Sequence, residues 1–202
     1  MQSIENKVIA RIYGYGKGWV FSQIDFADLG SRQSIDVSLH RLSKAERIRR
    51  VVRGIYDYPK FSKYLNQMMS PDFDQVARAL ARKYGWRIQI SGPAALNLLG
   101  LSTQVPGRLL YLSDGPSKVF KVMDYTIEFK KTALKESGFN HIESGIIVQA
   151  LKSLGPDRIT DSIKMSIRNW LDSSLYSVIL KDTKVVTSWI NQAIHDICRE
   201  KK

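Results

Sequence analysis

The chain has 202 residues, 44% of them apolar, enough to bury a core in one large domain or two small ones and too apolar for a disordered chain. Its 31 lysines and arginines against 19 acidic residues give a net charge of +12, so its field attracts polyanions, nucleic acid or anionic lipid, without choosing between them. No apolar run approaches the roughly 20 residues that span a bilayer, no signal-peptide core opens the chain, and the single Cys198 excludes an intrachain disulfide, so the expected compartment is the cytoplasm.

In chain order, Ile4, Val8, Ile9 and Ile12 recur at helical spacing and predict a first helix that ends before the glycines of 14–19. Ser22 with Asp25 three residues on, and Gly30 as a stop, predict a short second helix. Ser31 caps a third, whose Ile35, Leu39 and Leu42 fall on one stripe and leave Arg32, Gln33, Asp36, Val37, His40, Arg41 and Lys44 off it. "IRRVV", an Arg53-Gly54 turn and "IYDY" read as a β-hairpin. Ile48 and Val52 share a face of the first strand while Val51 points away, a parity that a bulge resolves. Three helices and a hairpin are the order of a winged helix.

After Pro59, "KFSKYLNQMM" reads as a connecting segment with helical character, and Ser70-Pro71 as the opening of a helix that Gly85 ends. "RIQI", "RLLYL", "KVFKV" and "YTIEF" are predicted strands, "PAALNLLG" a helix between the first two, and Asp114-Gly115 a turn. From His141 the pattern is helical, over 141–153, 161–171, 174–180 and 183–199. The expected fold is α/β (α+β): a winged helix-turn-helix domain over 1–60, a mixed α/β domain over 61–135 and a helical extension over 136–202.

A helix that buries Ile35, Leu39 and Leu42 presents its other face outward, and an α-helix fits the major groove of B-DNA. There Arg32 or Arg41 matches guanine and Gln33 adenine through paired hydrogen bonds. Ser31 and Ser34 lie where first-turn amides hold a phosphate. Val37 and Lys44 complete that face, and Arg49, Arg50 and Arg53, with Arg47 nearby, charge the hairpin for the DNA backbone. The expected partner is double-stranded DNA, with no cofactor. A solvated basic face and a protein-docking winged helix are the rival readings.

Enzyme signatures are missing. Ser91-Gly92 before a helix suggests a phosphate-binding turn, but no Lys-Ser/Thr follows, and Ala95, Leu98 and Leu99 suit a core. The glycines of 14–19 follow a helix instead of a strand, which is not a dinucleotide site. His40, His141 and His195 are far apart in sequence, and Asp114, Asp124 and Glu128 match no nuclease spacing, so neither a metal site nor catalysis is expected.

"GWVFSQIDFADLG" followed by "IRRVVRGIYDYP" resembles the N-terminal winged helix of the AbiEi family of antitoxins, whose wing ends in Arg-Gly-aliphatic-Tyr, here Arg53, Gly54, Ile55 and Tyr56. "ISGPAALNLLGLSTQVPGRLLYLSDG" is similar to the family's second domain, through Ser91-Gly92, Ala95-Leu96 and Gly100-Leu101-Ser102. The resemblance covers roughly residues 4–135 and is nearest to AbiEi-like proteins sharing "LGLSTQVP". It implies a cytoplasmic bacterial antitoxin of a type IV-like toxin–antitoxin system. Its first domain would repress its own promoter at inverted repeats, and its second would counteract a nucleotidyltransferase-like toxin. Where the family often carries Gly-Leu before the wing, this chain has Glu46-Arg47.

Overall fold

The first helix, α1 (Ile4–Tyr15), starts where the Ser3 hydroxyl accepts the Asn6 amide and stops at Gly16, whose φ of 84° suits glycine. The structure is a computed structural model and describes residues 3–103, 108–131 and 139–199. It is mixed α/β, 51% helical and 18% strand. Contacts divide it into two compact units, residues 1–87 with 119–127 and residues 88–118 with 128–202.

In the first unit, β1 (Val20–Phe21) precedes one 3-10 turn (Gln23–Phe26), then α2 (Arg32–Lys44), β2 (Arg49–Val52) and β3 (Ile55–Asp57). The strands order β1-β3-β2, both pairings antiparallel. This is a winged helix whose expected second helix is reduced to a single turn, in which the Asp25 carboxylate accepts the Ser22 amide at 2.8 Å. The core joins Val8, Ile9 and Ile12 of α1 to Ile35, Leu39 and Leu42 of α2 and to Phe21, Phe26 and Ile48. Burying side chains of this size contributes about 1.5–3 kcal/mol each before entropy is charged.

The segment after Pro59 is not helical. It forms a second hairpin, β4 (Phe61–Ser62) with β5 (Gln67–Met68), turning through Asn66 at φ 48°. The next helix, α3 (Phe73–Tyr84), is capped by Asp72, which accepts the amides of Asp74 and Gln75, so Pro71 precedes the helix instead of opening it. Gly85 closes it in the left-handed conformation, as predicted.

The compact units fall differently from the expected division at 60 and 135. Helix α3 belongs with the winged helix: Gln75 Oε1 accepts the Val20 amide, and Arg82 donates to the Val20 carbonyl and to Asp25. In the second unit, β6 (Ile88–Ile90) leads into α4 (Gly92–Leu98), and β6 pairs antiparallel with β7 (Arg108–Ser113). Strand β8 (Lys118–Val122) falls with the first unit from Val119 on, and β9 (Tyr125–Lys131) divides after Ile127. Helix α4 packs on α5 (Ile142–Leu154), so the expected α/β and tail segments share one unit. The chain closes with α6 (Asp161–Trp170), α7 (Tyr176–Asp182) and α8 (Ser188–Cys198).

Gly92 is a packing glycine: a Cβ there would lie 2.6 Å from the Ser153 Cβ and 3.1 Å from the Gln149 carbonyl oxygen. That close approach accounts for the Ser91-Gly92 pair without any phosphate. Residues 104–106 of the "LGLSTQVP" stretch lie outside the described residues.

Candidate nucleic-acid interface

The inner stripe of α2 is fully used, with Ile35, Leu39 and Leu42 buried and Ser38 bonded back to the Ser34 carbonyl at 2.8 Å. The opposite face is therefore fixed by packing. Arg32, Gln33, Asp36, Val37, His40, Arg41 and Lys44 are all exposed on it, and Val37 leaves 43% of its surface to solvent. An apolar patch of that kind among donors suits the thymine methyl.

The arginines of this face are loosely held. Arg32 lies 3.8 Å from Asp36 and Arg41 lies 3.9 Å from Glu5, with both guanidiniums mostly exposed. Exposed pairs at such distances contribute about 0–1 kcal/mol, so either side chain turns to a new acceptor at little cost. Ser31 is engaged otherwise: as the cap of α2 its oxygen accepts the Ser34 amide at 3.3 Å and lies 2.8 Å from the Ser34 hydroxyl. The amides of Arg32 and Gln33 remain for an anion at this helix end.

The wing confirms the expected bulge. Arg49 faces Asp57, Arg50 faces Tyr56, and the register shifts before Val52 faces Ile55, so Val51 is the extra residue. Gly54 makes the turn at φ 74°, and Lys83 donates to the Arg53 carbonyl at 2.8 Å, tying the wing tip to α3. Arg50 and Arg53 project into solvent.

Arg49, expected on the DNA backbone with them, is only partly exposed, and its guanidinium is engaged by Asp57, which is 1% exposed. It organises the wing instead of projecting from it. Tyr56, which sequence reasoning left out of the site, pairs with Arg50 across the wing. Burial raises the Tyr56 phenol pKa, Arg50 opposes the shift and Asp36 reinforces it. No local sequence signal links Arg50 to Tyr56, because their pairing is set by the register of β2 on β3.

At Glu46, φ is 54°, and the Arg47 amide reaches the Leu42 carbonyl at 3.0 Å, a left-handed helix end of the kind glycine favours. The departure from Gly-Leu therefore retains the turn and places a strained residue in it.

The other chemistry-bearing residues do not converge. His40 lies on α2, His141 precedes α5 and His195 lies in α8. Glu128 pairs with Arg108 at 3.2 Å. Among the described residues no group of three His, Cys, Asp or Glu side chains could hold a metal, and no helix is long and apolar enough to cross a membrane. Cys198 is buried, and burial pushes its thiol up to about 11, far from a reactive thiolate.

No curated protein matches the chain. The crystal structure of the RV2827C protein from Mycobacterium tuberculosis aligns over 91% of this chain and 78% of that one, at 13% identity and a TM-score of 0.40. Residues 7–176 match a family of unknown function, DUF6088, and the chain belongs to that family.

Proposed function

We propose that the first unit binds duplex DNA sequence-specifically and that the protein is a transcriptional regulator acting in the cytoplasm. The observation that carries this reading is the outward face of α2, on which Arg32, Gln33, Val37 and Arg41 are all exposed, together with the exposed Arg50 and Arg53 of the wing in the same unit. In this reading α2 lies in the major groove. Its side chains meet base edges, and Lys44, Arg50 and Arg53 neutralise phosphates.

The AbiEi resemblance extends the proposal: the target is the protein's own promoter, at inverted repeats, and the second unit counteracts a nucleotidyltransferase-like toxin. Mobility shifts with duplex from upstream of the coding sequence, against scrambled duplex of equal length, test the first part. Preferential retardation of the upstream duplex is expected; equal, salt-labile binding to both points to a docking module with an incidental basic face. Growth rescue on co-expression with a toxic nucleotidyltransferase-like neighbour tests the second part.

A further inference from the structure

We infer that the first unit carries a second nucleic-acid surface, separate from α2 and the wing, which takes single-stranded nucleic acid by stacking its bases on tyrosines. It gathers residues 13–19 at the end of α1, Arg47, and the segment 58–69 that forms the second hairpin.

Short contacts join these pieces. The Tyr15 ring stacks on Trp19 with centroids 4.0 Å apart and planes 14° from parallel. Tyr13 lies 5.2 Å from Tyr58, and Arg47 both covers the Tyr13 ring and donates to its hydroxyl at 2.8 Å. Gly18 donates to the Tyr58 carbonyl, while Trp19 accepts the Tyr58 amide. Lys60 is laid across Gly18, where a Cβ would meet its Cε at 2.5 Å. The second hairpin carries Lys63 and the exposed Tyr64 between β4 and β5.

Three features point to this ligand. First, rings that only sealed the core would be covered, yet Tyr13 is 46%, Tyr15 66% and Tyr64 95% exposed. Second, the stack on Trp19 holds Tyr15 flat and leaves most of its surface to solvent, so a base adds to an ordered ring at small entropic cost. Third, the sign of charge is uniform: residues 13–19 and 58–69 contain Lys17, Lys60 and Lys63 and no carboxylate, and Arg47 adds a fourth cation. Exposed rings interleaved with cations suit a polyanion whose bases are unstacked. A duplex, which hides its base faces, offers the rings nothing.

The surface stands without the duplex reading, so loss of one leaves the other intact. The test is fluorescence anisotropy of the full-length protein with a labelled oligothymidylate of about 16 nucleotides, the upper end of the usual site size. Variants are Tyr15→Ala with Tyr64→Ala, Tyr15→Phe and Tyr15→Leu, each checked for native circular dichroism. Salt-sensitive binding that weakens at least about tenfold in the double alanine variant, holds in Tyr15→Phe and falls in Tyr15→Leu is expected. Absence of binding at low salt, indifference to the double substitution, or equal binding by Tyr15→Leu and Tyr15→Phe would overturn it. So would Tyr64-dependent sedimentation with phosphatidylserine vesicles in place of oligonucleotide binding, which would make the rings a lipid contact.

Discussion

The guanidinium of Arg49 clasps the carboxylate of Asp57 across the wing, Nε to Oδ1 at 3.0 Å and Nη2 to Oδ2 at 2.5 Å, joining the first residue of β2 to the last of β3. Asp57 also pairs in backbone register with Val20 of β1, so one residue of β3 is tied to both neighbouring strands, to β2 through its carboxylate as well. Removing its cation leaves an unpaired charge inside. Arg49→Ala should lower stability by about 3 kcal/mol, while Arg49→Ala with Asp57→Ala should lose less than the sum of the two single losses. Urea unfolding of the four proteins checks this; additive losses would show that the contact contributes nothing.

Glu46 offers a gain. A non-glycine residue in the left-handed region costs about 1 kcal/mol, and nothing in the exposed Glu46 side chain offsets it. Glu46→Gly should therefore raise stability by about 0.5–1 kcal/mol despite glycine's extra freedom when unfolded. The urea midpoint should rise with an unchanged slope.

Gly92 is the reverse case. An alanine there would press on Ser153 and on the Gln149 carbonyl, and the carbonyl belongs to a helix that cannot yield without moving. Gly92→Ala should destabilise the second unit by about 1–3 kcal/mol and leave DNA affinity unaffected. Thermal unfolding and anisotropy on the same preparation separate the two effects.

Acid should act through Asp28. Arg11 holds this carboxylate at 2.6 Å through each oxygen, and that hydrogen bonding lowers its pKa from 3.8 to about 2. Because the folded value lies below the unfolded one, the stabilisation is present above about pH 4 and disappears as pH falls through about 2. The stability difference between the protein and Asp28→Asn should be constant near neutrality, shrink below pH 4 and diminish in high salt, since the pair is exposed. A difference independent of pH would remove the pair from the account.

Much of the winged helix was legible because its signals are local. The Ile35, Leu39 and Leu42 stripe fixed which face of α2 is outward, and the Ser31 cap and Arg53-Gly54 turn fixed the ends of helix and hairpin. Signals that depend on distant partners were not legible. Arg49 reads as one more arginine until the register puts Asp57 opposite it. The hairpin after Pro59 reads as helical because Asn66 gives only a weak turn signal in a run of lysines and apolar residues. Helix α3 looks like the start of a second domain, and only the contacts of Gln75, Arg82 and Lys83 assign it to the first. Gly92 reads from sequence as a helix entry, and only Ser153 and the Gln149 carbonyl beside it show why that entry must be glycine.

Gln33 and the wing arginines divide the DNA claim into its two physical parts. Gln33→Ala should lose about 1–3 kcal/mol of discrimination between target and scrambled duplex while keeping nonspecific affinity.

The most direct measurement is the salt dependence of duplex binding for the protein and for Arg50→Ala with Arg53→Ala. The account predicts weaker binding to every duplex and a slope of log affinity against log salt that is shallower by about 1.8, two phosphate contacts at about 0.9 each. An unchanged slope and affinity would contradict the wing's contact with DNA and, with it, the placement of α2 in the groove.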